Sequence, residues 1–321
     1  MKTPILLITF NRPEHTRRVL EAILAAEPKD LYVFQDGGRE GNENDKRKCA
    51  EVRQLVEEMT AGRDLSLHVN YSNKNLGCGP GPMTAINWFF IENEMGIIIE
   101  DDAIPHKDFF VFCEDLLARY KEDDAVRAIG SMCLDDRKYG DGSYYFSMMN
   151  RPLCSWATWR RAWKDFDLYH RQISRKQFNH CLKQYGCGLR MREYWCERLL
   201  EVQKDAYHHS SWDQQFWFSI WLHQGKGIMP NVNLSTNIGF DESATHSKKP
   251  NHIGSNRESK SIVPIVHPST TVIQRIADSR FQKLYFEPEN YGWSGLKRFP
   301  YRMNKRIKRL VGHEGSWFKK R

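Results

Sequence analysis

Residues 96–102 read Gly-Ile-Ile-Ile-Glu-Asp-Asp, an apolar, β-branched run that ends directly in three carboxylates. Continuous apolar runs of this kind are typical of parallel strands covered on both faces. In open α/β sheets, ligands bind at the carboxyl ends of the strands. The segment therefore predicts a buried strand with Glu100, Asp101 and Asp102 at the ligand-binding edge of a sheet.

Alternating strand and helix signals extend outward from this segment over the first half of the chain. Apolar runs at 4–10, 31–35 and 65–71 predict three further strands, each followed by a helical pattern, with helices expected around 46–60 and at 83–94. This order predicts an α/β fold with a mainly parallel sheet and helices on both faces. Polar residues follow two of these strands: Asn11 and Arg12 after the first, and Asp36 after the second. We expect them to meet the acidic triplet at one edge of the sheet.

Composition and charge limit the classes of function. The chain has 321 residues, 40% of them apolar, which is enough for one large α/β domain or two small ones. Residues 295–321 hold ten Lys and Arg against one acid, so the formal charge of this tail is +9. Because the whole chain has a formal net charge of +8, the remaining residues sum to −1. The basic balance belongs to the tail, and we expect no nucleic-acid partner.

Cysteine usage and hydropathy point to a cytoplasmic protein. None of the eight cysteines forms a C-x-x-C pair. Cys181, Cys187 and Cys196 beside His180 could form a metal cluster, but their spacing matches no zinc template, and free thiols are favoured. No stretch has the ~20 apolar residues that a membrane span needs, and the N-terminal apolar run is too short for a signal peptide.

The acidic triplet has the chemistry of a divalent-cation site. Mg²⁺ and Mn²⁺ prefer carboxylate and phosphate oxygens. A cation that bridges a diphosphate offsets the charge that grows as a nucleoside diphosphate leaves. The alternative is a solvated acidic turn without a ligand.

The segment Ile97–Asp102, followed by Pro105 and Asp108–Phe110, resembles GT-A glycosyltransferases, in particular N-acetylglucosaminyltransferase I and related bacterial proteins. The resemblance covers residues 4–247 and implies a Rossmann-like GT-A fold. It implies that Asp102 binds Mn²⁺ or Mg²⁺, and that Glu100 and Asp101 contact ribose or metal-bound water.

Three further segments, in order along the chain, resemble nucleotide-binding parts of this family. Thr9–Arg12 is similar to its first strand end, which implies that Asn11 and Arg12 approach the nucleotide. Gln35–Gly37 is similar to its second strand end, which implies that Asp36 faces the uracil edge. Asn75–Gly77 is similar to a loop on the donor side, which implies nucleotide contacts from Asn75 and Gly77.

The second half of the chain supplies the candidate catalytic base. Deprotonation of an acceptor hydroxyl calls for a carboxylate. Ser211-Trp212-Asp213 resembles the family's W-D-D-W segment, but Gln214 stands where the second aspartate is expected. Asp213 is therefore the candidate base. The alternative is an acid stabilised at a helix N-terminus, and Asp241 or Glu242 could substitute for it.

Other residues are implied in binding the sugars and the diphosphate. Trp156 and Trp212 are candidates for stacking on a sugar, with core packing as the alternative. Residues 238–246 resemble a loop that closes near the diphosphate. The resemblance makes Asp241 and Glu242 candidate sugar contacts and His246 a candidate metal or phosphate ligand. A lone loop histidine is otherwise simply exposed.

The predicted domain organisation is a GT-A domain at 1–265 and a helical, basic extension at 266–321. Residues 1–125 form the nucleotide-binding half of the domain, and 126–265 the acceptor and catalytic half. Apolar residues alternate with cations in 297–321, which favours docking on the anionic inner face of a membrane. A solvated helix or a disordered end is the alternative.

These observations predict an inverting, metal-dependent glycosyltransferase. The predicted donor is a nucleotide-sugar, in the first place a UDP-sugar, and the predicted acceptor a glycan or lipid-linked glycan in surface polysaccharide or glycolipid synthesis. One alternative is a metal-dependent nucleotidyltransferase, although Asn11-Arg12-Pro13-Glu14 stands where such enzymes carry a Gly-rich loop. The other is a non-catalytic protein of the same fold that binds nucleotide or glycan.

Overall fold

The computed structural model describes residues 1–135, 137–149, 154–205, 212–240 and 255–286. Its first half alternates strands and helices: β1 Ile5–Thr9, α1 Pro13–Leu24, β2 Asp30–Gln35, α2 Glu43–Thr60, β3 Ser66–Tyr71, α3 Pro80–Glu92 and β4 Met95–Glu100. Next come β5 Ala103–Pro105, α4 Lys107–Arg119, β6 Val126–Gly130, β7 Tyr144–Ser147, β8 Ser155–Trp159, α5 Arg160–Trp163, α6 Arg175–Gln184, α7 Leu189–Asp205, α8 Asp213–Leu222, β9 Lys226–Pro230, β10 Ser235–Asn237 and α9 Arg275–Phe281.

The strands form an eight-stranded sheet in the order β3-β2-β1-β4-β8-β6-β9-β7. The first four are parallel, with Ile5 opposite both Leu31 of β2 and Ile97 of β4. The expected Rossmann-like α/β fold with a mostly parallel sheet is thereby confirmed. In the second half, β8 runs antiparallel between β4 and β6, and β7 runs antiparallel to β9. The sequence pattern did not predict these antiparallel strands.

Helices cover both faces of the sheet. On one face the ring of Phe89 of α3 lies 5.1 Å from that of Tyr32 of β2. On the other face Trp159 of β8 donates its indole N–H to the carbonyl of Leu117 in α4 at 3.1 Å. Strands buried on both faces read as continuous apolar runs, which is why the central strands were recognisable.

Two helices begin earlier than the sequence pattern predicted, because their first turns are polar or proline-rich. We expected α2 near residue 46, but it begins at Glu43, where the Asn42 side chain accepts from the Asp45 amide at 3.1 Å. We expected α3 at Met83, but it begins at Pro80, since proline suits the first turn of a helix. Neither turn contributes to the apolar periodicity.

A stretch of irregular backbone from 255 to 274, which we call the strap, lies along the main domain. Ser261 and Ile262 donate to the carboxylate of Asp108, and the carbonyl of Val266 accepts from Ser143 at 2.7 Å. The chain forms two compact units, Met1–Asp278 and Ser279–Arg321. The predicted boundary after 265 falls inside the strap, which is hydrogen-bonded to the first unit.

No helix within the described ranges is long and apolar enough to cross a membrane. All eight cysteines are free. The Sγ atoms of Cys181 and Cys196 face different backbone carbonyls, those of Trp221 and Arg175. This agrees with the interpretation as free thiols.

Candidate functional site

The carboxyl ends of β1 and β4 bring Arg12 against the acidic triplet. Arg12 Nη1 lies 3.0 Å from Asp102 Oδ2 and 3.7 Å from Asp101 Oδ1. The three side chains are largely buried, with 12% of Arg12, 11% of Asp101 and 18% of Asp102 exposed. Partial burial strengthens these ion pairs, because fewer water molecules screen them. Residues separated by some ninety positions thus form one charged cluster.

Asp101 points into the fold and joins β4 to the end of β1. Its Oδ2 accepts a hydrogen bond from the Phe10 amide at 3.1 Å. Burial raises the pKa of Asp101 to about 6, and the nearby Arg12 opposes that rise. Both of its carboxylate oxygens therefore have protein partners, and the structure favours a positioning role over the ribose contact that the resemblance implied.

Asp102 is enclosed by the segment that follows β10, a strand that forms a separate two-stranded sheet with β5. β5 follows the triplet at once and pairs with β10. The amide of Ile238, just after β10, donates to the Asp102 carbonyl at 2.8 Å. A Cβ atom on Gly239 would lie 2.0 Å from Asp102 Oδ2, so only glycine fits there in this conformation. Ile238 and Gly239 therefore lie against the predicted metal ligand.

Asp36 holds the loop that precedes α3. Its Oδ1 accepts from the amides of Gly37 and Leu76 at 2.9 and 2.8 Å, and its Oδ2 accepts from Gly77 N at 2.9 Å and Asn75 Nδ2 at 3.1 Å. Burial raises the pKa of Asp36, and the three backbone amides oppose that rise.

These four hydrogen bonds change the expected roles of Asp36 and Asn75. A carboxylate that accepts four hydrogen bonds has few lone pairs left for a uracil edge. The side-chain Nδ2 of Asn75 also donates to the Gly37 carbonyl at 2.8 Å. Gly77 has a φ of +81°, a conformation that favours glycine. In the structure, Asp36 and Asn75 therefore shape the loop that precedes α3.

Asn11 belongs to a second charged group, centred on Asp45, that the sequence did not indicate. Asp45 is buried and accepts from Asn11 Nδ2 at 2.7 Å and from Arg39 Nε at 2.5 Å. The hydrogen bond from Arg39 lowers the pKa of Asp45, although burial opposes it. The spacing Asn42-x-x-Asp45 is a helix-start signal and gave no hint of this contact, which depends on the tertiary fold.

Glu100 is the member of the triplet on the α3 face of the sheet. Its amide donates to the carbonyl of Cys154 at 3.1 Å, and its side chain is half-buried. Burial raises the pKa of Cys78, in the loop before α3, and the neighbouring charges of Glu100 and Asp36 raise it further. Cys78 therefore lies near the triplet, a position that its sequence context did not indicate.

Asp213 is the first residue of α8, and 5% of it is exposed. The preceding Trp212 has its ring 5.5 Å from that of Trp156, and Trp156 lies opposite Ile98, two residues before Glu100. Asp213 therefore begins a helix that packs against β8, the neighbour of the strand that carries the triplet. This position fits both the catalytic and the helix-terminus interpretations.

Trp156 and Trp212 lie in the hydrophobic core, which contradicts their expected role as sugar platforms. Their exposed fractions are 0% and 4%. Trp156 also packs against Trp163 and Phe216, with ring centroids 6.3 and 5.4 Å away. A ring with almost no exposed surface cannot stack on a sugar. Core packing, the alternative interpretation of both residues, is the one that the structure shows.

The donor chemistry of this edge fits a divalent cation held jointly with a nucleotide. Within the described ranges no three His, Cys, Asp or Glu side chains converge into a metal site. Mg²⁺ and Mn²⁺ are commonly held by one or two carboxylates together with substrate phosphates and water. Asp102 is such a carboxylate, with Glu100 two residues before it. The other predicted ligand, His246, and the candidate sugar contacts Asp241 and Glu242 lie outside the described residues.

No protein-family model matches the sequence, and no curated protein matches it. Solved structures with similar folds include 4-diphosphocytidyl-2C-methyl-D-erythritol synthase from Anaerococcus prevotii (7% identity, TM-score 0.32), over 51% of this chain and 74% of that one. HddC from Yersinia pseudotuberculosis is similar at 11% identity and TM-score 0.31, over 51% and 80% of the two chains. An apo UDP-glucose pyrophosphorylase is similar at 9% identity and TM-score 0.31, over 68% of this chain and 97% of that one. Likenesses this distant carry no argument about activity.

Proposed function

We propose that this protein is a metal-dependent glycosyltransferase that moves a sugar from a nucleotide-sugar, in the first place a UDP-sugar, to a glycan hydroxyl. The observation that carries the proposal is the meeting of Arg12 with Asp101 and Asp102 at the carboxyl ends of β1 and β4. A carboxylate suited to a divalent cation and a guanidinium suited to phosphate oxygens are the two groups that a metal-bound diphosphate requires.

The proposed roles at this edge follow from the contacts. Asp102, with Glu100 nearby, would hold Mn²⁺ or Mg²⁺, which when bound offsets the charge of the leaving nucleoside diphosphate. Arg12 would bind phosphate oxygens through its planar fork of donors. Asp101, fixed by the Phe10 amide, keeps β1 and β4 in register at the site. Asp36 and Asn75 hold the loop that ends at Gly77 against the donor side.

The proposed catalytic base is Asp213, at the start of α8. A carboxylate in this place would accept the proton of the acceptor hydroxyl while the oxygen attacks the anomeric carbon. A single displacement of this kind inverts the anomeric configuration. Product NMR tests this part separately, and a retained configuration would rule it out. Asp241 and Glu242 are the proposed substitutes if the Asp213→Asn variant keeps full activity.

The proposed acceptor is a glycan, free or lipid-linked, in surface polysaccharide or glycolipid synthesis. The support for a lipid-linked acceptor is the charge of 295–321, ten cations against one acid. Such a segment binds anionic bilayers through electrostatic attraction and its apolar side chains. Co-sedimentation with phosphatidylglycerol vesicles at low and high salt tests the membrane part, and a chain shortened before residue 297 is the control.

The first experiment measures nucleotide release from a panel of UDP-, GDP- and CMP-sugars, with Mn²⁺ and with EDTA. We expect metal-dependent release from one donor. Asp102→Ala should lower that release by about 10³-fold, because metal-bound charge stabilisation contributes several kcal/mol. The matched control is Asp64→Ala, since this aspartate has 93% of its side chain exposed and pairs with Lys29. Asp64→Ala should keep wild-type activity.

The other outcomes separate the alternatives. Pyrophosphate release from a nucleoside triphosphate and a sugar 1-phosphate would identify a nucleotidyltransferase. Calorimetric UDP–Mn²⁺ binding without turnover, with or without added glycan acceptors, would identify a binding protein of the same fold. Release that is unaffected by EDTA and by Asp102→Ala would refute the proposed role of the triplet.

A further inference from the structure

Arg12 already occupies the position of a cation at Asp102. Its Nη1 lies 3.0 Å from Asp102 Oδ2 and within 3.7 Å of Asp101, and only 12% of the arginine side chain is exposed. A guanidinium stays protonated throughout the physiological range, so no change of pH removes this charge. A divalent cation that binds Asp102 must therefore share the carboxylate with Arg12 or displace it.

The backbone closes Asp102 from another side. The Ile238 amide holds the Asp102 carbonyl at 2.8 Å, and a Cβ on Gly239 would meet Asp102 Oδ2 at 2.0 Å. With 18% of its side chain exposed, Asp102 has little surface open to a hydrated ion. Mg²⁺ loses its water ligands reluctantly. An ion without a nucleotide must therefore lose water ligands and compete with the Arg12 guanidinium for the exposed part of the Asp102 carboxylate.

A diphosphate changes the competition between Arg12 and the divalent cation for Asp102. Phosphate oxygens offer the guanidinium charge-assisted, bidentate hydrogen bonds, so Arg12 can exchange Asp102 for a phosphate of similar charge. The same diphosphate supplies oxygen ligands to the cation. Because each ligand removes an obstacle to the other, their binding free energies are coupled, and the coupling acts equally in both directions.

We propose that Arg12 is the resident counter-ion of Asp102, so that a divalent cation binds tightly only together with a nucleoside diphosphate. The inference rests on the proposed metal role of Asp102. It does not depend on which sugar is transferred, or on whether transfer occurs. The arginine thereby acts as a positioning residue that makes metal binding conditional on the nucleotide.

The test is Mn²⁺ binding, followed by the electron paramagnetic resonance signal of the free ion, in the full chain without and with UDP. The variants are Arg12→Gln and, as a matched control, Arg127→Gln. Arg127 pairs with Asp165 at 2.5 Å, with exposed fractions of 11% and 19%, and it lies near the amino end of β6, away from the triplet. The control removes the same charge from an equally buried ion pair.

We expect wild-type protein and Arg127→Gln to bind Mn²⁺ weakly alone, and at least about tenfold more tightly with UDP. Arg12→Gln should bind Mn²⁺ alone about tenfold more tightly than wild type, and UDP should add less. Adding Asp102→Asn to Arg12→Gln should remove the gain. If Arg12→Gln does not fold, as judged by circular dichroism, Arg12→Met repeats the test with the aliphatic stem retained.

The inference is overturned if wild type and Arg12→Gln bind Mn²⁺ alone equally, or if the gain survives Asp102→Asn. It is also overturned if UDP binds to the wild-type protein but leaves its affinity for Mn²⁺ unchanged. Failure of the proposed function looks different. In that case UDP binds to none of the proteins, while the comparison of Mn²⁺ binding between wild type and Arg12→Gln remains decisive for the counter-ion.

Discussion

The two halves of the main domain differ in the buried side chains that characterise them. The parallel half buries charge: Arg12, Asp36, Asp45 and Asp101 sit at strand ends or in the first turn of a helix, each with named partners. The antiparallel half also buries acids, among them Asp278, but it is set apart by buried tryptophans such as Trp156, whose ring packs against that of Trp212. Buried charge is retained where it organises a site, whereas buried rings supply stability. Substitutions in the two halves should therefore affect different properties.

The largest expected effect on stability is in the aromatic half. Trp156→Ala should lower the free energy of unfolding by about 3–5 kcal/mol, because it leaves a cavity inside a fully buried cluster. Urea unfolding measures this, with Arg160→Ala at the end of β8 as a milder comparison. A stable Trp156→Ala protein with weakened sugar binding would contradict the core assignment and restore the role in stacking.

The matching effect on activity is in the charged half. Gly239→Ala places a methyl group against the Asp102 carboxylate and should lower turnover by about a hundredfold, of the order expected when one preorganised polar group is misplaced. Its unfolding temperature should stay near that of wild type. Gly41→Ala, with no atom within 4 Å of its added Cβ but a φ of +72°, is the control for a loop glycine. Unchanged turnover in Gly239→Ala would mean that residues 238–240 do not enclose the reacting site.

A buried acid in the second half should make stability depend on pH. Burial raises the pKa of Asp278 to about 7, although hydrogen bonds from Ser147 and the Met148 amide oppose the rise. Because the folded-state pKa lies above the unfolded value of ~3.9, the native state binds the proton more tightly. Stability should therefore fall as pH rises from about 4 to 7, by up to about 1.4 kcal/mol per pH unit.

Asp278→Asn provides the measurement. Its unfolding free energy, relative to wild type, should increase from pH 4 to pH 7 and then level off, because the asparagine does not ionise. Chemical denaturation at closely spaced pH values shows the trend. Parallel curves for the two proteins would mean that Asp278 titrates in the folded chain as it does in the unfolded chain.

The smallest expected effect concerns the buried acid of the first half. Asp36→Asn keeps the size of the side chain but replaces one acceptor oxygen by a donor that faces the Gly77 amide or the Leu76 amide. We expect a loss of about 1–3 kcal/mol, mostly as local loosening of residues 74–77. Hydrogen exchange at these amides measures it. If exchange there is unchanged while UDP affinity falls, the uracil contact implied by the resemblance would be the better role for Asp36.

The parallel half could be predicted from the sequence because each of its elements carries a local signal. Continuous apolar runs marked β1, β2 and β4, and the polar residues after them marked the site edge. The direction of β8 could not be predicted, because it depends on pairing with β4 across a long separation in sequence. The burial of Trp156 could not be predicted either. A tryptophan in a strand gives the same sequence pattern whether another aromatic ring or a ligand covers it.

The contact partners of the site residues could not be predicted from the sequence either, because they too are far apart along the chain. Arg12 and Asp102 were both singled out, but nothing local shows that they contact each other. Gly239 and Asp45 act only through residues far along the chain. Single residue types at strand ends thus predicted which residues meet at one edge of the sheet, and tertiary contacts decided which partner each side chain has there.

The pairing of β4 with β8 also determines how this protein can be divided and in what order it folds. A fragment that stops at residue 125 would leave the backbone amides and carbonyls along one side of β4 without their strand partner. Exposed edges of apolar strands invite aggregation. β4, which carries the acidic triplet, can pair with β8 only after β8 has left the ribosome. An incomplete chain therefore has the charged half without the strand that pairs with it. Truncation libraries should therefore yield soluble protein only when they include the aromatic half.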